Sequence, residues 1–341
     1  MTMKHEIYNL QILRGIAALL VVFEHLAPPF ISKGLPYGEV GVSIFFFISG
    51  FIMVYSFKES ESGLSFFKRR ILRIYPPYLI LSIPLILYFF LKTDSFLYLL
   101  HNITLFPFIE WNSSMSESLN VKRSVASPVA WTLYYEMYFY FIFSVMKFLF
   151  SNREKVVLMT SITMVSVLIA SSFFIKNSDL GFKDLSLANI ISSLSILSFV
   201  AGMLSLKYIR IIKERPRGIC YFMIIILSLI IINRVNKYGL IESSQVIDLL
   251  FSSIPSWILC MIIIRSEKYK GVIFDAAHKI GAISYSLYLF HSNFYILKNE
   301  MQLSAQYQIL FFIISTIISI YIASLSFRYI ESNSLFRLKR S

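Results

Sequence analysis

The sequence predicts an all-α membrane protein of about ten transmembrane helices with both termini in the cytoplasm, and three observations carry the prediction. Apolar residues fill 57% of the 341 positions and charged residues only 15%, against about a quarter in an ordinary soluble domain. The chain holds 32 Phe and 21 Tyr, rings of the kind that settle at bilayer interfaces. Apolar runs of about the length that crosses a hydrocarbon core follow one another from end to end. Residues 1–341 therefore read as a single integral-membrane domain with short loops.

The runs fall at 7–27, 39–57, 74–91, 128–150, 156–174, 187–206, 219–232, 246–264, 281–297 and 307–327. The weakest, 219–232, borrows flanking residues to cross. The stretch 96–108 is too short and contains His101, Asn102 and Pro107, so it reads as an interfacial or re-entrant piece of the longest loop, 92–127. With a cytoplasmic N-terminus, 22 of the 32 Lys and Arg lie on the inner side and nine on the outer, leaving Arg14 inside the first run. That split follows the positive-inside rule, and an odd number of spans would scramble it. Topology thus accounts for the net charge of +13, and nucleic acid is not expected as a partner. Cys220 and Cys260 sit inside apolar runs and read as packing residues. The first run lacks a small-residue cleavage site and reads as a retained helix.

Ionisable groups inside a bilayer are costly and mark candidate sites. The first run holds Arg14, Glu24 and His25. Eleven residues separate Arg14 from His25, three helical turns plus about 20°, so both project from one face about 16 Å apart along the axis. Snorkelling of Arg14 and wetting of His25 at the rim is the alternative. Glu136 in the fourth run and His291 in the ninth lie at an outer depth similar to that of His25, a grouping suited to general acid/base chemistry. Packing is the alternative for His291. The loop after the second run carries Lys68, Arg69, Arg70 and Arg73. It reads either as a strong inner-side anchor or as a dock for a phosphorylated ligand, because Arg forks onto phosphate. The small residues of Gly41, Ser49 and Gly50 are spaced for close helix packing. Phosphate-loop, zinc-protease and nucleophile-elbow motifs are absent from the sequence, and no metal site is expected.

The motifs together resemble the acyltransferase 3 family of membrane acyltransferases. The matching residues are Leu13-Arg14-Gly15 with His25, Gly38 and Gly41-Val42 leading to Phe46-Phe47-Ile48-Ser49-Gly50-Phe51, and Phe67, Arg70, Arg73, Ile74 and Pro76. They continue with Trp131-Thr132-Leu133 and Glu136, then Ser284-Tyr285-Ser286, Tyr288-Leu289 and His291, then Arg328 and Glu331. The resemblance implies ten spans in a bacterial plasma membrane, acyl-CoA as the cytoplasmic donor and no bound cofactor. It also implies an external acceptor, usually a polysaccharide hydroxyl, on surface polysaccharide or a lipid-linked glycan; the sequence does not separate these from protein or lipid acceptors, nor acetyl from succinyl as the acyl group. It makes Arg14 and His25 essential and puts the basic segment near the CoA. On this reading His25, Arg14 and Glu136 are catalytic, with Arg69, Arg70, Arg73, Tyr285 and His291 at the acyl-CoA or substrate. The family's proline after the C-terminal acid is missing, since Ser332 follows Glu331. No esterase-like domain is expected after the tenth run. A polytopic transporter of a glycan or anionic lipid is the rival reading of the same intramembrane charges. Internal inverted repeats would favour the transporter, and none is visible.

Overall fold

The computed structural model describes residues 4–32, 37–93, 96–107, 125–174, 186–209, 245–301 and 303–332. In chain order its helices are α1 (Lys4–Leu26), α2 (Pro29–Ser32), α3 (Tyr37–Tyr55), α4 (Gly63–Thr93), α5 (Phe96–Thr104), α6 (Trp131–Leu149) and α7 (Arg153–Phe174). They continue with α8 (Leu187–Ser192), α9 (Ile196–Ile209), α10 (Gln245–Asp248), α11 (Ile254–Ile264), α12 (Val272–Ala282), α13 (Ser284–Met301) and α14 (Ala305–Ser326). A π-helical turn, Leu249–Ser253, joins α10 to α11, and another, Phe327–Glu331, ends α14. Helix is what hydrocarbon demands, because each backbone amide must find its carbonyl within its own segment.

Among the described residues six helices are long and apolar enough to cross a membrane: Tyr8–Leu26, Tyr37–Tyr55, Gly63–Lys92, Arg153–Phe173, Gln245–Ile264 and Ala305–Glu331. The runs at 128–150 and 281–297 also become helices of spanning length, α6 and α13. Their tyrosines, Glu136 and His291 make them less apolar than the six. The run at 187–206 is broken at Ser193, where extended backbone separates α8 from α9. The run at 219–232, Cys220 and the loop stretch 108–124 lie outside the described residues.

Backbone contacts set two compact units, and the first draws on Met1–Ser56 and Leu197–Phe327. Its centre is α1, which packs against α3, α11, α12, α13 and α14. The closest approaches are made at glycine. A Cβ on Gly15 would overlap the carbonyl oxygen of Ala277 in α12, and one on Gly281 would overlap that of Gln11 in α1. Gly50 of α3 and Gly202 of α9 stand in the same relation to the carbonyls of Phe199 and Phe47. The packing expected for the small residues of α3 is therefore present, and backbones meet because a side chain is missing. Asn9, fully buried, donates from Nδ2 to the carbonyls of Ile263 and Ser266, each at 2.9 Å. It thereby ties α1 to the C-terminal end of α11 and the turn that follows it.

Helix α14 shows what surrounds the protein. Its outward positions are Ile309, Leu310, Ile313, Ile317 and Tyr321, while its buried ones are Ser315, Ser319, Ala323 and Ser326. A helix with small, hydroxylated residues inside and Ile and Leu outside faces lipid, where association rests on close packing and interhelical hydrogen bonds. One such bond runs from Ser286 to Ser326 at 2.8 Å.

The second unit, within Phe57–Ile196, packs α4 on α6 and α5, and α7 on α6 and α8. Here the sequence misleads at one point. The basic segment expected as a loop is the start of α4, a helix of 31 residues that runs on through Pro76, Pro77 and Pro84. Proline is tolerated in membrane helices when neighbours re-satisfy the freed carbonyls. The nine-residue α5 is too short to cross, as expected for 96–108. Its last carbonyls are bound by tyrosine hydroxyls: Tyr75 donates to Thr104, Tyr78 to Asn102 at 2.5 Å and Tyr134 to His101 at 2.9 Å.

Candidate active site

His25 lies in the last turn of helix α1, and α13 carries His291 at its middle. Packing of Val22 and Leu26 with Ile283 and Leu287 around Ala18 and Ala323 brings the two helices together there. His25 Nδ1 lies 2.9 Å from His291 Nε2, with the ring planes within 16° of each other and 5.2 Å between centroids. His291 has no accessible surface, whereas His25 is half-buried. The other nitrogen of His291, Nδ1, is 3.1 Å from the carbonyl oxygen of Leu287 one turn back. Tyr295 lies against His25 at 4.8 Å, and Tyr288 lies 6.0 Å from His291. Lys298 donates to the carbonyls of His25, at 3.2 Å, and Ala27, at 2.7 Å. A cation at the C-terminal end of α1 also suits the negative end of that helix's dipole.

Two of these participants escaped the sequence reading. Lys298 counted only as one of the outer charges, although it stands seven residues after His291, two turns on, on the same face of α13. Tyr295, four residues after His291, carried the same signal. Glu24, an intramembrane acid by sequence, turns out to serve the fold, since its carboxylate accepts the backbone N–H of Gly38 in the first turn of α3. An anion is favoured at a helix N-terminus, where N–H groups lack partners.

Arg14 lies half-buried in the same unit and donates to Gln11 Oε1 at 3.1 Å. Tyr285 is half-buried near the start of α13, six residues before His291. The remaining expected residues belong to the second unit. Glu136 accepts a hydrogen bond from the hydroxyl of Tyr140, one turn on in α6. Arg70, only 5% exposed, is sandwiched between the faces of Phe66 and Tyr140, 5.1 and 5.2 Å from their centroids. The carboxylate of Glu136 is among the charges that act on it. Arg69 pairs with Glu61 at 2.8 Å, and Lys147 reaches the same carboxylate at 3.4 Å. Lys68 and Arg73 are exposed. One run of four cations is thus divided by helix geometry into a buried, a paired and two outward groups.

A two-imidazole centre suits proton transfer to and from a hydroxyl. The family model described as an acyltransferase domain matches residues 7–328, nearly the whole chain. The chain belongs to the acyltransferase 3 family. The chain is also 40% identical over 77 residues to nodulation protein 10 of Rhizobium leguminosarum bv. viciae, a segment of 20% of this chain. It thus spans about a fifth (21%) of that relative's length. No solved structure matches it. It is a membrane protein of this family, with Arg14, His25, Arg70, Glu136 and His291 all inside the matched span.

Proposed function

We propose that this acyltransferase moves an acyl group, acetyl being the first candidate, from cytoplasmic acyl-CoA to a hydroxyl of an extracytoplasmic glycan, with His25 as the general base. The observation that carries the reading is the imidazole pair at the end of the first span, in a chain of this family. His25 takes the proton of the acceptor hydroxyl as its oxygen attacks the thioester carbonyl carbon. The carbon–sulfur bond then breaks, and the departing thiolate of CoA recovers the proton from His25. Charge returns to where it started, so the step needs no other reactant.

Of the basic segment, Arg73 and Lys68 are exposed and suit phosphate. Arg69 joins them once it leaves Glu61. Arg70 is better suited to holding that turn of α4 in place, since its faces are covered by rings. Arg14 supplies a further cation, on the face of α1 that carries His25. On the topology read from Lys and Arg, His25 lies towards the outer face, where a glycan on its lipid carrier is presented.

Mass spectrometry of surface polysaccharide tests the reading in cells carrying the wild type, a deletion or His25→Ala. The expected outcome is an acyl mass increment in the wild type alone. Unmodified masses with less glycan at the surface in the deletion would sink the transferase reading in favour of transport. Full acylation with His25→Ala would remove His25 from the chemistry.

A further inference from the structure

The geometry points to His291 as a positioning residue that holds His25 in one tautomer, leaving His25 Nε2 as the nitrogen that takes the acceptor's proton. The inference rests on the proposed role of His25 as base and adds which atom acts and what fixes it. Leu287 offers only a carbonyl oxygen to His291 Nδ1 at 3.1 Å, so Nδ1 must carry the hydrogen. In the neutral ring the second nitrogen, Nε2, is then an acceptor. It faces His25 Nδ1 at 2.9 Å, which must donate. His25 Nε2 is consequently left with its lone pair, and no group among the described residues hydrogen-bonds to it.

The surroundings hold that order in one direction. Lys298 is a donor only, and its bonds go to the backbone oxygens of His25 and Ala27, away from either ring. His291 is fully buried, so water cannot substitute as acceptor on its side, while His25 retains some exposure. When His25 Nε2 gains the hydroxyl proton, the Nδ1–H bond to His291 persists and becomes charge-assisted, which strengthens it. A neutral imidazole here does the orienting work that a carboxylate does in other His-containing relays, without placing a permanent negative charge in the membrane.

The test uses the full chain in lipid nanodiscs with isotopically labelled histidine, together with source-cell membranes supplied with radiolabelled acetyl-CoA. The chain has five histidines, so ring-nitrogen resonances are few, and a His25→Ala spectrum assigns the one that matters. A bare Nε2 and a protonated Nδ1 on His25 are expected in the wild type. In His291→Phe, which keeps the volume and removes the acceptor, the tautomers should mix. Its kcat should fall on the order of a hundredfold with KM for acetyl-CoA within about twofold. His291→Gln, whose amide oxygen can stand where Nε2 stood, should recover kcat to within about tenfold of the wild type. A wild-type His25 carrying its proton on Nε2 would overturn the inference whether or not the variants fold. So would a His291→Phe enzyme of undiminished kcat, or Phe and Gln variants equally inactive with the tautomer unchanged. Undiminished transfer by His25→Ala is a separate outcome, which removes the base itself and the inference with it.

Discussion

At the scale of single residues, the second unit holds an arrangement as specific as the histidine pair. Arg70 lies between two aromatic faces with the carboxylate of Glu136 bonded to one of those rings. A guanidinium is planar and weakly hydrated, so it stacks where an ammonium does not. Arg70→Lys should therefore behave as a disruptive change despite keeping the charge. We expect it to lower the thermal midpoint of the purified protein and to reduce acylation several-fold. Tyr140→Phe keeps the ring over Arg70 but removes the hydroxyl, at a cost of about 1 kcal/mol. It should leave more activity than Arg70→Lys, and differential scanning fluorimetry alongside acylation measurements checks the order. Equal losses from the two would mean that the hydroxyl bond, and not the stacked faces, holds the site.

At the scale of elements, the glycine crossings set how far helices can approach. Gly202→Leu would drive a side chain into the carbonyl of Phe47 in α3. Relieving such overpacking costs about 1–3 kcal/mol, sometimes more. The variant should express at reduced levels and elute as aggregate in size-exclusion chromatography, whereas substitution of outward Leu204 by Ile should not. This scale also shows what the sequence could and could not disclose. Lipid makes the spans legible, because each must be apolar and long, and the same argument singled out Arg14, His25, Glu136 and His291 as exceptions. It could not pair His25 with His291, since 266 residues separate them and only packing of Leu26 with Leu287 brings them together. Nor could it divide the basic segment. Read as a loop, Arg69, Arg70 and Arg73 looked equivalent; as a helix, neighbours sit about 100° apart, so one turns inward while another meets Glu61. The break at Ser193 was hidden because the run is apolar enough overall to read as one span.

At the scale of the whole molecule, the lipid-facing surface makes its own prediction. Ile317 is 62% exposed on the outward side of α14, with Ser319 buried two residues on. Ile317→Lys should cost about 2.5–3.5 kcal/mol of insertion free energy near the middle of a span. A membrane-insertion reporter should read a clear loss for it and almost none for Ile317→Leu. A lysine tolerated there would mean that the outward face of α14 is met by protein or water and not by lipid.

The crossings at Gly15, Gly41 and Gly281 also bear on movement. Helix α1 is held there backbone against backbone by α12 at two levels and by α3 at a third. A slide of one residue, about 1.5 Å along the axis, would carry each notch away from the carbonyl or side chain that fills it. The helix is thus a fixed post, and the histidine at its tip cannot travel between the two faces of the membrane. On the mechanism proposed above, the acyl arm must therefore come to a stationary His25.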